Sequence, residues 1–137
     1  MSSNWIMQLP SVVFTRVKTE FSEKIKTKYN MTSENFSTTD SQNKKAVFPF
    51  VYINLLPASE TGNDLEGDTI NGGIFTFQID VYDNKTQARA REVMTEVVRI
   101  MKSMRFLVNQ MPSFDDTEDV KRMTTRFQRI IGSGDIL

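Results

Sequence analysis

The chain has 137 residues, the length of one ordinary domain, and its 39% hydrophobic and 25% charged residues are typical of a folded globular protein. Its 17 basic and 17 acidic residues give a formal net charge of zero, so bulk charge does not favour binding to nucleic acid or to an anionic membrane. Cysteine and histidine are both absent, which excludes disulfides, thiol nucleophiles and zinc–thiolate sites and removes the commonest general base, so we expect neither an enzyme nor a cofactor.

The first predicted element is an amphipathic helix over about residues 10–29. Pro10 suits its first turn, where a missing amide hydrogen costs nothing. Apolar residues then recur at four-residue steps, at Val13, Val17, Phe21 and Ile25. The polar stretch that follows allows no more than a short edge strand at about residues 35–40.

A strand predicted over residues 46–56 is apolar on both of its faces. One face carries Val47, Val51, Ile53 and Leu55. The other face carries Phe48, Phe50 and Tyr52. A strand of this kind is usually covered on both sides. Pro49 cannot donate to a neighbouring strand, so we expect it at the beginning of the strand, at an edge or at a bulge.

A long acidic loop is predicted at about residues 57–72. It contains four acids and no basic residue: Glu60, Asp64, Glu66 and Asp68. Three of these acids have the spacing of the first ligands in a calcium loop. Thr69 stands where such a loop needs glycine, and Phe75 where it needs its last acid, so we expect no metal site. Loops of this length in compact domains are usually functional or disordered.

An alternating strand and a second amphipathic helix follow the loop. The strand ends near Asp83 and turns its apolar residues to one face, namely Phe75, Phe77, Ile79 and Val81. The turn 83–86 offers several helix N-caps. The helix then extends to about Met104, and its predicted core stripe is Ala90, Val93, Met94, Val97, Val98, Met101 and Met104. We expect its charged residues, Arg89 and Glu96 among them, to face solvent.

The C-terminal third is predicted to hold two further strands. The first is short, at residues 106–108, and a turn with four acids follows at 112–119. The second, residues 120–131, turns Met123, Thr125 and Phe127 inward and Arg122, Thr124, Arg126 and Gln128 outward. The order α-β-β-β-α-β-β is that of a single α+β domain over residues 1–137, with a flexible tail at about 132–137.

Four segments in this order resemble the tail terminator, or tail completion, proteins of long-tailed bacteriophages, in the group that includes the phage lambda tail terminator. They are Phe48-Pro-Phe-Val-Tyr-Ile53, residues 71–84, the helix 88–104 and Arg126-Phe-Gln-Arg-Ile-Ile-Gly132. The resemblance covers residues 10–135 and rests on pattern, because no catalytic motif is present. It implies two helices packed on one face of a mostly antiparallel sheet of four to five strands.

The resemblance also implies partners and a place in the virion. It implies a hexameric ring at the head-proximal end of the tail tube, which caps the polymer of major tail protein and offers a surface to the head connector. The protein would be made in the cytoplasm of the host bacterium, and DNA would only pass through the ring. The acidic loop is compatible with a lumen that repels DNA. No membrane partner is expected, because no apolar stretch approaches the ~20 residues that span a bilayer and the polar start does not resemble a secretory leader.

Two alternatives remain open from the sequence. Another head–tail joining protein, a stopper or an adaptor, has the same ring habit and size. A small nucleic-acid-binding module would use Lys24, Lys26, Lys28, Arg122, Arg126 and Arg129. In the preferred interpretation, the candidate contacts with other subunits or partners are Phe48, Phe50, Tyr52, Glu60, Asp64, Leu65, Glu66, Asp68, Arg122, Arg126, Ile136 and Leu137.

Overall fold

The computed structural model describes residues 4–38, 47–57, 59–63, 70–114, 120–132 and 134–137. The three α-helices in this part of the chain are α1 (Asn4–Glu20), α2 (Glu23–Tyr29) and α3 (Gln87–Ser103). Its strands are β1 (Phe36–Ser37), β2 (Phe50–Leu55), β3 (Ser59–Asn63), β4 (Ile70–Asp83), β5 (Leu107–Phe114) and β6 (Lys121–Gly132). None of the helices in these ranges is long and apolar enough to cross a membrane.

The predicted first helix is two helices that meet at a break. α1 begins at Asn4, so Pro10 lies inside the helix and not in its first turn. The apolar stripe starts earlier than predicted, because Trp5 and Leu9 continue the four-residue spacing toward the N-terminus. The chain leaves the helix at Phe21 and Ser22 and re-enters it at Glu23.

The strands form one mostly antiparallel sheet in the order β1-β2-β4-β6-β5, which confirms the predicted α+β class. β1 is the short parallel edge strand beside β2, as expected for the 35–40 region. Pro49 directly precedes β2, one of the positions expected for a residue that cannot donate. β4 is the longest described strand, and it pairs with β6 along almost its whole length.

The predicted loop at 57–72 is wrong in part, because it contains a strand. β3 pairs with the beginning of β4, with Glu60 opposite Gly73 and Thr61 opposite Gly72. β6 occupies the other side of β4, so β3 lies on the same side of β4 as β2. The sequence of β3 shows no apolar alternation, and the strand is specified by its pairing with β4.

Helices and sheet enclose one core in the described chain, with α1 over β1 and β2 and α3 over β4 and β6. The inward residues of β6 are buried as predicted: Met123, Thr125 and Phe127. The α3 stripe is confirmed too, apart from Val98, which is only partly buried. Trp5 packs edge-on against Phe75, with the ring centroids 5.6 Å apart, and so fixes the start of α1 over β4.

Glu96 contradicts the prediction that the charged residues of α3 face solvent. It is 8% exposed, and its Oε2 accepts a hydrogen bond from the main-chain N–H of Ser22 at 2.9 Å. Arg99 donates to the same carboxylate through Nε at 3.0 Å, and also to the carbonyl oxygen of Glu20 at 3.0 Å. Glu96 therefore ties the α1–α2 break to α3, which explains why a carboxylate is buried there.

β5 is longer than the short strand predicted at 106–108. It continues to Phe114 with two register shifts against β6, and it contains Pro112. Proline and bulges are tolerated on an edge strand, where one row of amides has no partner strand. Residues 112–114 of the predicted acidic turn therefore belong to β5, and 115–119 lie outside the described residues.

Candidate interaction surface

The sheet face opposite the helices is the main candidate surface, and we call it the outer face. No helix of the described chain covers it. Strand register places its central residues in three cross-strand rows. These rows are Phe50–Tyr82–Arg122, Tyr52–Asp80–Thr124 and Asn54–Gln78–Arg126. Four of the predicted contact residues, Phe50, Tyr52, Arg122 and Arg126, are thus brought together.

Asp80 lies at the centre of the outer face and is nevertheless only 3% exposed. Its Oδ1 accepts a hydrogen bond from the Thr124 hydroxyl at 2.7 Å, and its Oδ2 one from Nη2 of Arg122 at 3.2 Å. In the next row Nε of Arg126 donates to Oε1 of Gln78 at 3.0 Å. The polar groups of the outer face are therefore largely satisfied between neighbouring strands.

The aromatic residues of the outer face pack on one another. The rings of Phe50 and Tyr82 are 6.3 Å apart, and the Arg122 guanidinium lies 5.9 Å from the Tyr82 ring. Burial raises the pKa of Tyr82, and the nearby charge of Asp80 raises it further. Phe50 and Tyr52 remain half-buried, so the second apolar side of β2 is shielded only in part within one subunit.

The other end of the outer face is apolar and more exposed. Ile74 of β4 lies directly opposite Ile130 of β6, and Leu107 of β5 lies opposite Gln128, one step along the same face. Ile130 is 66% and Leu107 69% exposed. The outer face thus combines a polar and aromatic centre with an exposed aliphatic end, and a neighbouring molecule that covered it would bury both.

The remaining predicted contacts do not join the outer face. Phe48 is half-buried and precedes β2. Glu60 lies in β3, and four predicted residues of the acidic segment lie outside the described residues: Asp64, Leu65, Glu66 and Asp68.

The two terminal apolar residues differ from each other. Ile136 is 87% exposed, as a docking residue would be. Leu137 instead packs against the core of its own chain, and its carbonyl oxygen accepts a hydrogen bond from Nη1 of Arg16 at 2.6 Å. The expectation of a free docking residue is therefore corrected for Leu137, because α1 of the same subunit binds it.

Sequence reasoning missed Asp80 and Thr124 as members of the surface. The alternation of the strand places Asp80 on the face opposite its apolar residues and says nothing more about it. An aspartate between Ile79 and Val81 is unusual, since aspartate is depleted in strands, and that was the available signal. Its partner Thr124 lies 44 residues away, and only the register of β4 and β6 reveals the pair.

The cations proposed for a nucleic-acid module are mostly engaged within the chain. Arg122 and Arg126 bind the outer-face groups described above, and Arg129 donates to the Met104 carbonyl oxygen at 3.1 Å. Nζ of Lys28 lies 3.1 Å from the Glu92 carboxylate. These contacts engage the charged groups that a nucleic-acid-binding module would use, so they weaken the nucleic-acid alternative.

Glu92 joins α2 to α3 in a second polar cluster. Its carboxylate accepts hydrogen bonds from the Tyr29 hydroxyl and from the Lys28 ammonium group. Those two donors, the tyrosine first, lower the pKa of Glu92 below its ordinary value of 4.5. Arg89 lies 4.8 Å from the Tyr29 ring and 3.3 Å from a carboxylate oxygen of Asp83. The cluster therefore holds α2, which has no fully buried residue, against α3.

Chemistry-bearing side chains are dispersed in the part of the chain that the structure describes. No group of three or more acidic residues there is arranged to hold a metal ion. Asp80 and Asp83 are both buried, but each is held by neighbouring donors of its own.

No protein family model and no curated protein matches the sequence. Its fold is similar to that of a chain in the solved structure titled "Virion of native gene transfer agent (GTA) particle", with a TM-score of 0.58 at 14% sequence identity. The similarity covers 91% of this chain and 95% of that chain. The two chains therefore share a fold over nearly their whole lengths.

Proposed function

We propose that this protein is a structural component of a phage or phage-like virion, and specifically a tail terminator. In this proposal copies of the chain form a ring at the head-proximal end of the tail tube. The ring stops polymerisation of the tube and offers the surface to which the head attaches. The proposal involves no catalysis, no cofactor and no membrane.

The observation that carries the proposal is the extent of the fold similarity. It covers 91% of one chain and 95% of the other, so it concerns a complete domain and not a shared motif. The structure that contains the second chain is a virion particle by its title. Fold alone does not fix function, and the tail-terminator assignment adds the sequence resemblance over residues 10–135.

The outer face supplies a physical reason for assembly. Phe50 and Tyr52 are only half-buried, and Ile130 and Leu107 are largely exposed on the same face. Burial of such apolar surface stabilises by about 25 cal/mol per Å², so a neighbouring subunit on this face lowers the free energy of the assembly. A contact between two different surfaces of successive copies closes into a ring when the rotation permits.

The partners of the proposed ring follow from its position. One side of the ring binds the last layer of major tail protein, and the other side binds the head–tail connector or a stopper. DNA passes through the opening without a specific contact.

Electron microscopy of a lysate from a phage with a stop codon in this gene tests the proposal. We expect filled heads that are free of tails, beside tails of uncontrolled or excessive length. Normal tail length would contradict termination of the tube by this protein. If tails of normal length fail to join heads, or heads lose their DNA, the stopper or adaptor assignment replaces the proposed one.

A further inference from the structure

The solvent side of α1 carries no charged residue over its first twelve residues, Asn4 to Thr15. Five described side chains of this stretch are exposed and lie at helical spacing on one side, and we call them the α1 patch: Met7, Gln8, Ser11, Val12 and Thr15. Charged residues normally occupy much of the solvent side of a surface helix. α3 follows that rule, because its exposed side chains include Arg91, Arg99 and Lys102.

The α1 patch combines this lack of charge with exposed apolar surface. Met7 is 82% and Val12 41% exposed. Within the part of the chain that the structure describes, the other exposed large apolar side chains are Leu107, Ile130 and Ile136. Protein interfaces are depleted in charged residues at their cores and enriched in methionine. The α1 patch therefore has the composition of a protein-binding surface.

A second uncharged surface lies on the other layer of the subunit, at the aliphatic end of the outer face. Strand register builds it from two neighbouring rows, Leu107–Gln128–Thr76 and Ile130–Ile74. Neither row contains a charged residue. α1 packs on the opposite side of the sheet, so the α1 patch and the aliphatic end face away from each other. One subunit therefore cannot join its own two surfaces.

Trp5 places the two surfaces at the same end of the sheet. Its ring packs on Phe75, with 5.6 Å between the centroids, and Phe75 follows Ile74 in β4. Neighbouring residues of a strand point to opposite faces. The N-terminal part of α1, which contains Met7, thus lies over the strand segment whose outer side carries Ile74. A contact between the two surfaces in successive copies needs little shift along the strands, which favours a closed ring over an open helix.

We propose that the α1 patch of one copy packs on the aliphatic end of the outer face of the next copy. This inference rests on the proposed function, because it supplies a head-to-tail contact for the ring. A ring needs two different surfaces on each subunit, and these two surfaces are such a pair. The contact buries Met7, Val12, Leu107 and Ile130, and it leaves no charge unpaired because neither surface carries one.

Sedimentation velocity of the full-length chain tests the contact. We expect the wild type to associate and to remain associated at about 1 M salt, because screening does not weaken an apolar contact. Met7→Glu/Ser11→Glu places two charges in the contact and is expected to associate at least about tenfold more weakly. Ala88→Glu/Thr95→Glu is the matched control, because it adds the same charge at exposed sites of α3, and it should associate like the wild type. Circular dichroism melting verifies that each variant is folded.

Cysteine cross-linking identifies the two surfaces directly, since the native chain contains no cysteine. The single variants Met7→Cys and Ile130→Cys are mixed and oxidised. A disulfide-linked dimer is expected in the mixture, and much less of it in either variant alone, because the contact joins two different surfaces. A mixture of Thr95→Cys with Ile130→Cys is the control, and it is expected to give only background dimer.

Several results would overturn the inference. They are a wild-type chain that stays monomeric, a Met7→Glu/Ser11→Glu variant that associates like the wild type, and a cysteine mixture that gives no more dimer than its control. If that glutamate variant forms normal rings but no longer stops tubes of major tail protein, the α1 patch binds the tube instead. The stop-codon lysate lacks the whole protein, so its tail lengths test the proposed function whichever surfaces join the copies. Failure of this contact and failure of the proposed function therefore remain distinguishable.

Discussion

Replacement of Asp80 by alanine tests whether the outer face is held together by its central carboxylate. The change removes the acceptor of the Thr124 hydroxyl and of Arg122. A hydrogen bond to a charged group contributes about 1.5–3 kcal/mol. The Arg122 side chain is 34% exposed, so its ion pair with Asp80 adds no more than about 1 kcal/mol.

Relief of the buried charge offsets part of this loss, because a carboxylate that is 3% exposed is poorly solvated. We therefore expect Asp80→Ala to lower the free energy of unfolding by about 2 kcal/mol, or Tm by about 7 °C for a chain of this size. Thr124→Val should cost about 1.5 kcal/mol, the lower end of that range, since it removes one donor and leaves the ion pair in place.

Urea unfolding at a concentration where the chain is monomeric measures these values. Trp5 is the single tryptophan of the chain and packs against Phe75, so its fluorescence reports loss of the core. Glu23→Ala is the matched control, because that carboxylate lies 3.7 Å from Lys26 and its side chain is 85% exposed. If Asp80→Ala and Glu23→Ala agree within about 0.5 kcal/mol, the reasoning is refuted.

Three further predictions concern assembly and the helix contacts. Tyr52→Asp should leave a soluble monomer and block ring formation, whereas Ser33→Asp, at an exposed site away from the outer face, should still form rings. Size-exclusion chromatography distinguishes monomers from rings. Normal rings of Tyr52→Asp would show that the outer face is not the interface. Glu92 has a folded-state pKa below its unfolded value, so its stabilising contribution is complete above about pH 4.5 and is lost as the pH falls through the folded pKa. On acidification the stability of Glu92→Gln should therefore fall less than that of the wild type. Equal losses of Tm in the two proteins would contradict this. Glu96→Ala should cost about 2 kcal/mol by freeing the Ser22 amide and Arg99, as measured by thermal unfolding, and an unchanged Tm would show that the α1–α2 break needs no such anchor.

Elements with a repeating apolar pattern could be predicted from the sequence. The alternation in β4 and β6 and the stripe of α3 each report a face that packs against the core, and the structure confirms those faces. The predicted start of α1 is too late, because Pro10 suits a first turn, although Trp5 and Leu9 already continue the apolar stripe toward the N-terminus. Local boundary signals were thus less reliable than periodicity.

Elements that depend on distant partners could not be predicted in this way. β3 has no apolar alternation and is specified by its pairing with the glycines of β4. Buried Glu96 looks like any charged residue on a helix until the break between α1 and α2 is placed beside it. The contacts of Asp80 can likewise be recognised only when the register of β6 against β4 is known. The outer-face aromatics were predictable, whereas the network that orders them was not.

Immunogold labelling of intact virions with an antibody against this protein tests the central claim most directly. A tail terminator should be labelled at one place, the junction between head and tail, in particles of normal tail length. Label along the tail tube, at its distal tip or nowhere on the virion would contradict the account.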